Sequence, residues 1–107
     1  MEPYHAIEAT IRYLTTSEGG TEKGVASGCR GQFHYDDDDH DGFQYFPDLD
    51  PNEFVNLGED VRARIRFCED RWNHHHSTRI YQGMPFEIRE GRKVVGRGVV
   101  TDLEADD

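Results

Sequence analysis

Cysteine is scarce in this sequence: its 107 residues include two, Cys29 and Cys68, which form no C-x-x-C pair. Two cysteines are too few for a disulfide scaffold, so we interpret both as free thiols. No apolar run approaches the about 18 residues that a membrane-spanning helix needs. The first residues also lack the basic stretch and apolar segment of a signal peptide. We therefore expect a cytoplasmic protein with no membrane partner.

Nucleotide-binding and catalytic motifs are also missing from these residues. There is no Gly-x-x-x-x-Gly-Lys-Ser/Thr loop to hold phosphates and no Asn-Lys-x-Asp element, which argues against GTP binding or hydrolysis by this stretch. No Gly-x-Ser-x-Gly elbow surrounds any serine, and no spacing among the six histidines and the carboxylates singles out an acid–base pair. We predict a non-catalytic protein with no cofactor and no GTP.

Positive charge is absent from residues 36–60, which contain ten Asp or Glu side chains and no Lys or Arg. This acidic block accounts for the whole net charge of −10 at pH 7. Residues 61–101, in contrast, hold nine Lys or Arg against four acids. A chain divided in this way can present a basic face beside an acidic one, so the net charge alone does not identify a partner.

What the sequence does contain is apolar alternation with a period of two, the pattern of a strand with one buried face. It is clearest in residues 61–67, where three outward arginines alternate with inward Val61, Ala63, Ile65 and Phe67. Residues 85–102 form a predicted hairpin, because two strands joined by so short a connection must be antiparallel neighbours.

Further strands are predicted in residues 4–15, 29–35 and 42–46. The acidic run 36–42 is predicted as a solvated loop, because consecutive carboxylates repel one another. No segment indicates a helix. We therefore predict one all-β, antiparallel domain over residues 1–103 and an acidic tail over residues 104–107.

Three segments carry a resemblance to a known family. Residues 86–100, F-E-I-R-E-G-R-K-V-V-G-R-G-V-V, resemble the closing hairpin of the C-terminal β-barrel domain of translation elongation factor Tu. The E-G-G at residues 18–20 and the G-C-R-G-Q-F at residues 28–33 resemble that domain's E-G-G and G-Y-R-P-Q-F segments, with Cys for Tyr and Gly for Pro. Residues 58–65, G-E-D-V-R-A-R-I, resemble its G-D-N-x-K-x-x-V strand.

This resemblance covers nearly the whole chain and implies a six-stranded antiparallel closed β-barrel, present as a standalone domain without the family's GTPase domain. In the family, the barrel contacts the T stem of aminoacyl-tRNA and a nucleotide-exchange factor. The resemblance therefore implies a binding module related to translation, although fold alone does not assign function.

One hypothesis is binding to the RNA or tRNA backbone. Three arginines spaced by about 7 Å on one strand face can hold phosphates, and the closing hairpin adds basic or small residues at positions aligned with the family's RNA contacts. The predicted nucleic-acid-binding residues are Arg62, Arg64, Arg66, Arg89, Arg92, Lys93, Gly96 and Gly98.

The favoured hypothesis is a protein partner, bound by exposed aromatic side chains. The predicted partner-binding residues are Phe43, Tyr45, Phe46 and Trp72. RNA binding is the first alternative, and inhibition of a toxin, as an immunity protein would perform it, is the second.

Three consecutive histidines at 74–76 raise the question of a metal. In a strand, His74 and His76 would share a face and an ion, with His34, His40 or Cys68 as candidates for further ligands. The aligned family region is a strand end and loop, which favours exposed side chains. We predict no metal site.

Overall fold

The computed structural model describes residues 3–21 and 24–105 of the chain. Within this part, seven strands form one antiparallel sheet. The strands are β1 (Tyr4–Tyr13), β2 (Gln32–Tyr35), β3 (Asp38–His40), β4 (Phe43–Tyr45), β5 (Asp60–Cys68), β6 (Pro85–Glu90) and β7 (Lys93–Asp102). Their order across the sheet is β3-β2-β6-β7-β1-β5-β4.

The sheet curls into an open half-barrel whose edges are β3 and β4. An isolated bridge spans the gap: the Gly28 N–H donates to the Gln44 carbonyl at 2.7 Å, and the Gln44 N–H donates to the Cys29 carbonyl at 3.2 Å. The prediction of an antiparallel β-sheet fold is confirmed, but the described residues are mostly β rather than all-β. The prediction of six strands in a closed barrel is wrong, because the described residues form seven strands whose ladders stay open at the edges.

The additional strand is β3, which lies in the acidic run predicted as a loop. Asp36 and Asp37 form a two-residue connection between β2 and β3, with φ of 51° and 62°. Aspartate is among the few residues that tolerate this left-handed conformation, and two such residues in succession suit a tight hairpin. The strand forms because the His40 side chain points inward and is buried, and because His40 pairs with Phe33 on β2.

A short helix, α1 (Glu69–His74), follows β5, and two 3-10 turns occupy Thr16–Glu18 and His76–Thr78. Glu69 and Asp70 lie in the first turn of α1, where their charges complement the helix dipole. The expectation of no helix is therefore wrong for this segment. None of the helices in the described residues is long and apolar enough to cross a membrane.

The core lies on the concave side of the sheet. Ala63, Ile65 and Phe67 are buried as the alternation predicted, and Val61 is half-buried. The ring of Phe33 lies at the centre, 4.4 Å from the Phe86 centroid and 5.1 Å from the Phe67 centroid.

One polar side chain, Gln44, is fully buried in this core. Its Oε1 accepts hydrogen bonds from Tyr13 Oη and Cys29 Sγ, both at 3.1 Å. Its Nε2 donates to the Gly31 carbonyl at 3.0 Å and to the Gly42 carbonyl. Burial is the main cause that raises the pKa of Tyr13 and of Cys29, so both remain protonated donors at neutral pH.

The two ends of the described chain meet beside α1. The His5 ring bonds the Leu103 carbonyl through Nε2 at 2.7 Å, and the Ala105 N–H donates to the Ala6 carbonyl at 3.0 Å. Of the acidic tail predicted at 104–107, residues 106 and 107 lie outside the described residues, and Ala105 is held against β1.

Candidate interaction surface

The outward side of β4 and β5 brings arginines and aromatic rings together. Because side chains alternate along a strand, Gln44 points inward while its two neighbours point out. Phe43 lies opposite Arg66, and Tyr45 lies opposite Arg64. We call this surface the arginine–aromatic face. It comprises Tyr4, Arg30, Phe43, Tyr45, Arg64 and Arg66.

The rings of this face are covered by guanidinium groups. Arg66 Cζ lies 4.2 Å from the Tyr45 ring centroid, and Arg30 Cζ lies 5.6 Å from that of Phe43. Tyr4 meets Phe43 edge to face, with centroids 6.4 Å apart. A cation–π contact at an exposed site contributes about 0.5–1 kcal/mol. These contacts hold long side chains in place, which lowers the entropy lost when a partner binds.

Arg62 begins the predicted phosphate-binding row, and it is already paired within the chain. Its Nη2 and Nε donate to the two carboxylate oxygens of Asp48 at 2.7 and 3.1 Å, and its Nη1 donates to Glu8 Oε1 at 3.3 Å. The bond from Arg62 lowers the pKa of Asp48, and Asp48 in turn raises the pKa of Arg62. A phosphate would therefore have to displace two carboxylates to reach this guanidinium.

Arg64 differs from Arg62 because it is half-buried and its Nε has no hydrogen-bond partner among residues 3–21 and 24–105. It lies between Glu8 on β1 and Tyr45 on β4. The three arginines of the predicted row therefore have different surroundings. Arg62 is bonded to carboxylates, Arg64 is half-buried, and Arg66 stacks on Tyr45.

The closing hairpin forms a separate patch. Arg89 Nη2 donates to Glu87 Oε1 at 2.6 Å, while Arg92 and Lys93 are exposed at the turn. Strands β7 and β1 lie between β6 and β5. The structure therefore does not bring the eight predicted nucleic-acid-binding residues into one patch.

A family model described as the elongation factor Tu C-terminal domain matches residues 1–104 of the 107-residue chain. The chain belongs to this family. The resemblance carried by the three sequence segments is thereby confirmed, and the open, curled sheet is this domain's form of a barrel-like fold.

In this member of the family, Gly96 and Gly98 face inward, against the interpretation that they admit a ribose-phosphate backbone. A Cβ on Gly98 would lie 2.4 Å from Phe86 Cζ and 2.8 Å from the Thr10 carbonyl oxygen. A Cβ on Gly96 would lie 3.1 Å from Tyr13 Cδ1. The close approach that requires glycine is therefore made by the protein's own core.

Two of the four predicted partner-binding aromatics are not exposed. Phe46 is 2% and Trp72 is 8% exposed. Trp72 is buried because α1 folds back over the sheet, where its ring stacks on His5 at 3.9 Å. The expectation that these two side chains form a contact surface is wrong, whereas Phe43 and Tyr45 lie on the arginine–aromatic face.

Sequence reasoning missed a groove of 660 Å³ on the outward side of β6 and β7. Pro85 and Val99 supply apolar walls, and Glu87, Arg89 and Arg97 supply charge. Val99 is 44% exposed. The alternation within β7 was available as a signal, but the paired valines at 94–95 and 99–100 hid which valine faces out.

Proposed function

We propose that this member of the elongation factor Tu C-terminal domain family is a non-catalytic binding module that docks a protein partner through the arginine–aromatic face. The observation that carries the proposal is the pair of guanidinium-covered rings on one outward surface, Arg66 on Tyr45 and Arg30 on Phe43. Arginine and tyrosine are enriched among the residues that dominate protein–protein binding energy.

The chemistry of the face specifies the contact that it favours. A guanidinium carries its N–H groups in a planar fork that matches carboxylates, and Arg30 and Arg66 bring this group onto the face. Phe43, Tyr45 and Tyr4 supply apolar area next to these donors. The favoured partner is therefore a protein segment that places acidic side chains beside apolar ones.

Charge supports a protein over RNA. The chain carries a net charge of −10, and binding to a phosphate backbone depends on the number of cations that reach it. Arg62 is held by Asp48 and Glu8, and Arg92 and Lys93 belong to a different patch. A basic toxin would be drawn to the acidic block 36–60 rather than to this face, so toxin inhibition is a separate outcome of the same experiment.

The test is affinity capture from the native cells with immobilised wild-type protein and two charge-reversal variants. Arg66→Glu removes the stacked cation from the face, and Arg92→Glu makes the same charge change at the exposed hairpin turn. We expect one protein to be retained in a near-equimolar amount by wild type and by Arg92→Glu, and to be lost from Arg66→Glu.

Three other results contradict the proposal. Recovery of ribonuclease-sensitive RNA that both variants weaken identifies an RNA-binding module. Capture of a basic toxin that neither variant affects identifies an inhibitor that uses the acidic block. Equal retention of the captured protein by both variants places its contact outside the arginine–aromatic face. Circular dichroism of each variant confirms that the fold is kept.

A further inference from the structure

Three histidines from distant parts of the sequence meet at one end of the core. His40 ends β3, His75 follows α1, and His76 begins the second 3-10 turn. One ring nitrogen from each lies within 4.8 Å of those of the other two. The ring centroids are 4.8 Å apart for His40 and His76, and 5.1 Å apart for the two pairs that include His75.

His76 is the anchor of this cluster. It is fully buried, and its Nδ1 is bonded to Tyr35 Oη at 2.6 Å. Its Nε2 is buried with no hydrogen-bond partner among the residues that the structure describes. Buried polar atoms in native proteins nearly always have partners, so this nitrogen, beside two other imidazoles, is a candidate metal ligand.

We propose that His40, His75 and His76 bind one Zn²⁺ ion. Three imidazole nitrogens suit a borderline divalent transition metal, whereas Ca²⁺ and Mg²⁺ require oxygen ligands. Zinc lies about 2.0–2.1 Å from each nitrogen, and tetrahedral angles then set the three ring centroids about 5 Å apart. The observed centroid separations match that arrangement. The same geometry sets the ligand nitrogens about 3.3 Å apart. They lie within 4.8 Å of one another here, so the rings must turn to bring them onto one ion.

The surroundings of the cluster have one feature of a metal site. A ligand histidine commonly bonds a partner through its second nitrogen, which fixes the ring, and Tyr35 does this for His76.

An ion can reach the cluster from the surface. A groove of 350 Å³ leads to His40 between β3 and α1, and His75 is itself half-exposed. Arg71 and Arg79 oppose a cation here, and Asp36, Asp38 and Asp39 offset them. Three protein ligands leave the fourth tetrahedral position to a water molecule. The site corrects the expected pairing of His74 with His76, which assumed a strand.

The test is a calorimetric titration of tag-free, chelator-treated protein with Zn²⁺ alone. We expect one ion per chain. His75→Ala should weaken binding at least as much as the loss of an outer partner does, about 10–100-fold. His74→Ala is the matched control. The His74 side chain is next to the cluster in sequence, but it is 77% exposed and does not belong to the cluster. It should bind as wild type does.

A second variant guards against a folding defect in the first. Tyr35→Phe keeps all three ligands and removes only the bond to His76, and it should weaken binding by about 10–100-fold. In wild type, Zn²⁺ at about 100 times its Kd should raise Tm by about 10 °C. Absence of binding, or equal losses in His74→Ala and His75→Ala, would overturn the proposal, because the latter means that the histidine run chelates the ion at the surface.

Discussion

Two fully buried polar side chains, Gln44 and His76, differ in how many of their polar positions are hydrogen-bonded. All four hydrogen-bonding positions of the Gln44 amide are used, by Tyr13, Cys29 and two glycine carbonyls. His76 has two ring nitrogens, and one of them is bonded, to Tyr35. Its other nitrogen has no partner among residues 3–21 and 24–105, so within this part of the chain only the first centre is complete.

The difference teaches what each centre is for. A saturated buried amide specifies structure: it ties β4 to the end of β1 and to the segment before β2, and so holds the half-barrel across its gap. A buried imidazole whose second nitrogen makes no bond to the described residues can bind a metal ion, as proposed above for Zn²⁺. The cost of burying the Gln44 amide is thus offset by hydrogen bonds within the protein, whereas a bound Zn²⁺ would offset part of the cost of burying the His76 ring.

The largest expected effect is at the complete centre. Gln44→Leu leaves two carbonyls and the Tyr13 hydroxyl without partners, so we expect the free energy of unfolding to fall by about 3 kcal/mol or more. Urea denaturation measures this change. Gln82→Leu, at an exposed position, is the control and should stay within about 0.5 kcal/mol of wild type. If Gln44→Leu lowered the free energy of unfolding by less than about 1 kcal/mol, the four hydrogen bonds of Gln44 would not be an important source of stability.

The next effect concerns the packing of the inward face of β7. Gly98→Ala forces a methyl group into the Phe86 ring and the Thr10 carbonyl, and overpacking of this kind costs about 1–3 kcal/mol. The loss should appear in urea denaturation, and the stoichiometry of Zn²⁺ binding should not change. Thr101→Ala, exposed on the same strand, should be nearly neutral. Equal stability of both variants would mean that the inward face of β7 has spare room.

A matched pair of tyrosine variants sharpens the comparison directly. Tyr13→Phe and Tyr35→Phe each remove one buried hydroxyl, and each should lower the stability of metal-free protein by about 1 kcal/mol. With excess Zn²⁺, the Tyr35→Phe deficit should grow, because this variant binds the ion less tightly, while the Tyr13→Phe deficit should not. Thermal melts with and without the ion give both values. If Zn²⁺ changed the stability deficits of both variants equally, the proposed difference in ligand binding between the two centres would be contradicted.

The smallest effect is at an exposed polar centre. Bonds from Arg12 and from Thr15 lower the pKa of Glu18 from 4.5 to about 2. A carboxylate with a lowered folded pKa stabilises the protein above its unfolded pKa, and this contribution is lost as pH falls from about 4.5 to about 2. Glu18→Gln should therefore be slightly less stable than wild type at pH 7 and equal to it near pH 2. Urea midpoints at the two pH values test this, and a pH-independent difference contradicts it.

The alternation in the sequence predicted the frame of the fold. Strands β1, β5 and β6 have the inward faces that their apolar residues indicated, because their alternation repeats along the strand. Strand β4 inverts it: two aromatics face out and Gln44 faces in. A three-residue strand carries too little pattern to show which of its faces is buried.

The candidate sites were harder to predict, because each depends on contacts between distant residues. Nothing local to Asp38–His40 reveals that the acidic run pairs with β2, so His40 could not be placed beside His75. His75 and His76 both approach His40 only because α1 ends at His74 and the backbone turns after it. The three arginines of β5 were correctly placed on one face, but their unlike partners came from strands β1 and β4 and from the loop at Asp48.

The pairing of His5 with Leu103, and of Ala6 with Ala105, has a consequence for how this domain can be re-engineered. Because the first and last ordered strands are joined side by side, a few residues would link them covalently without strain. A circular permutant with that linkage, and with new ends opened at the exposed turn around Gly91, would keep every strand neighbour of the present sheet.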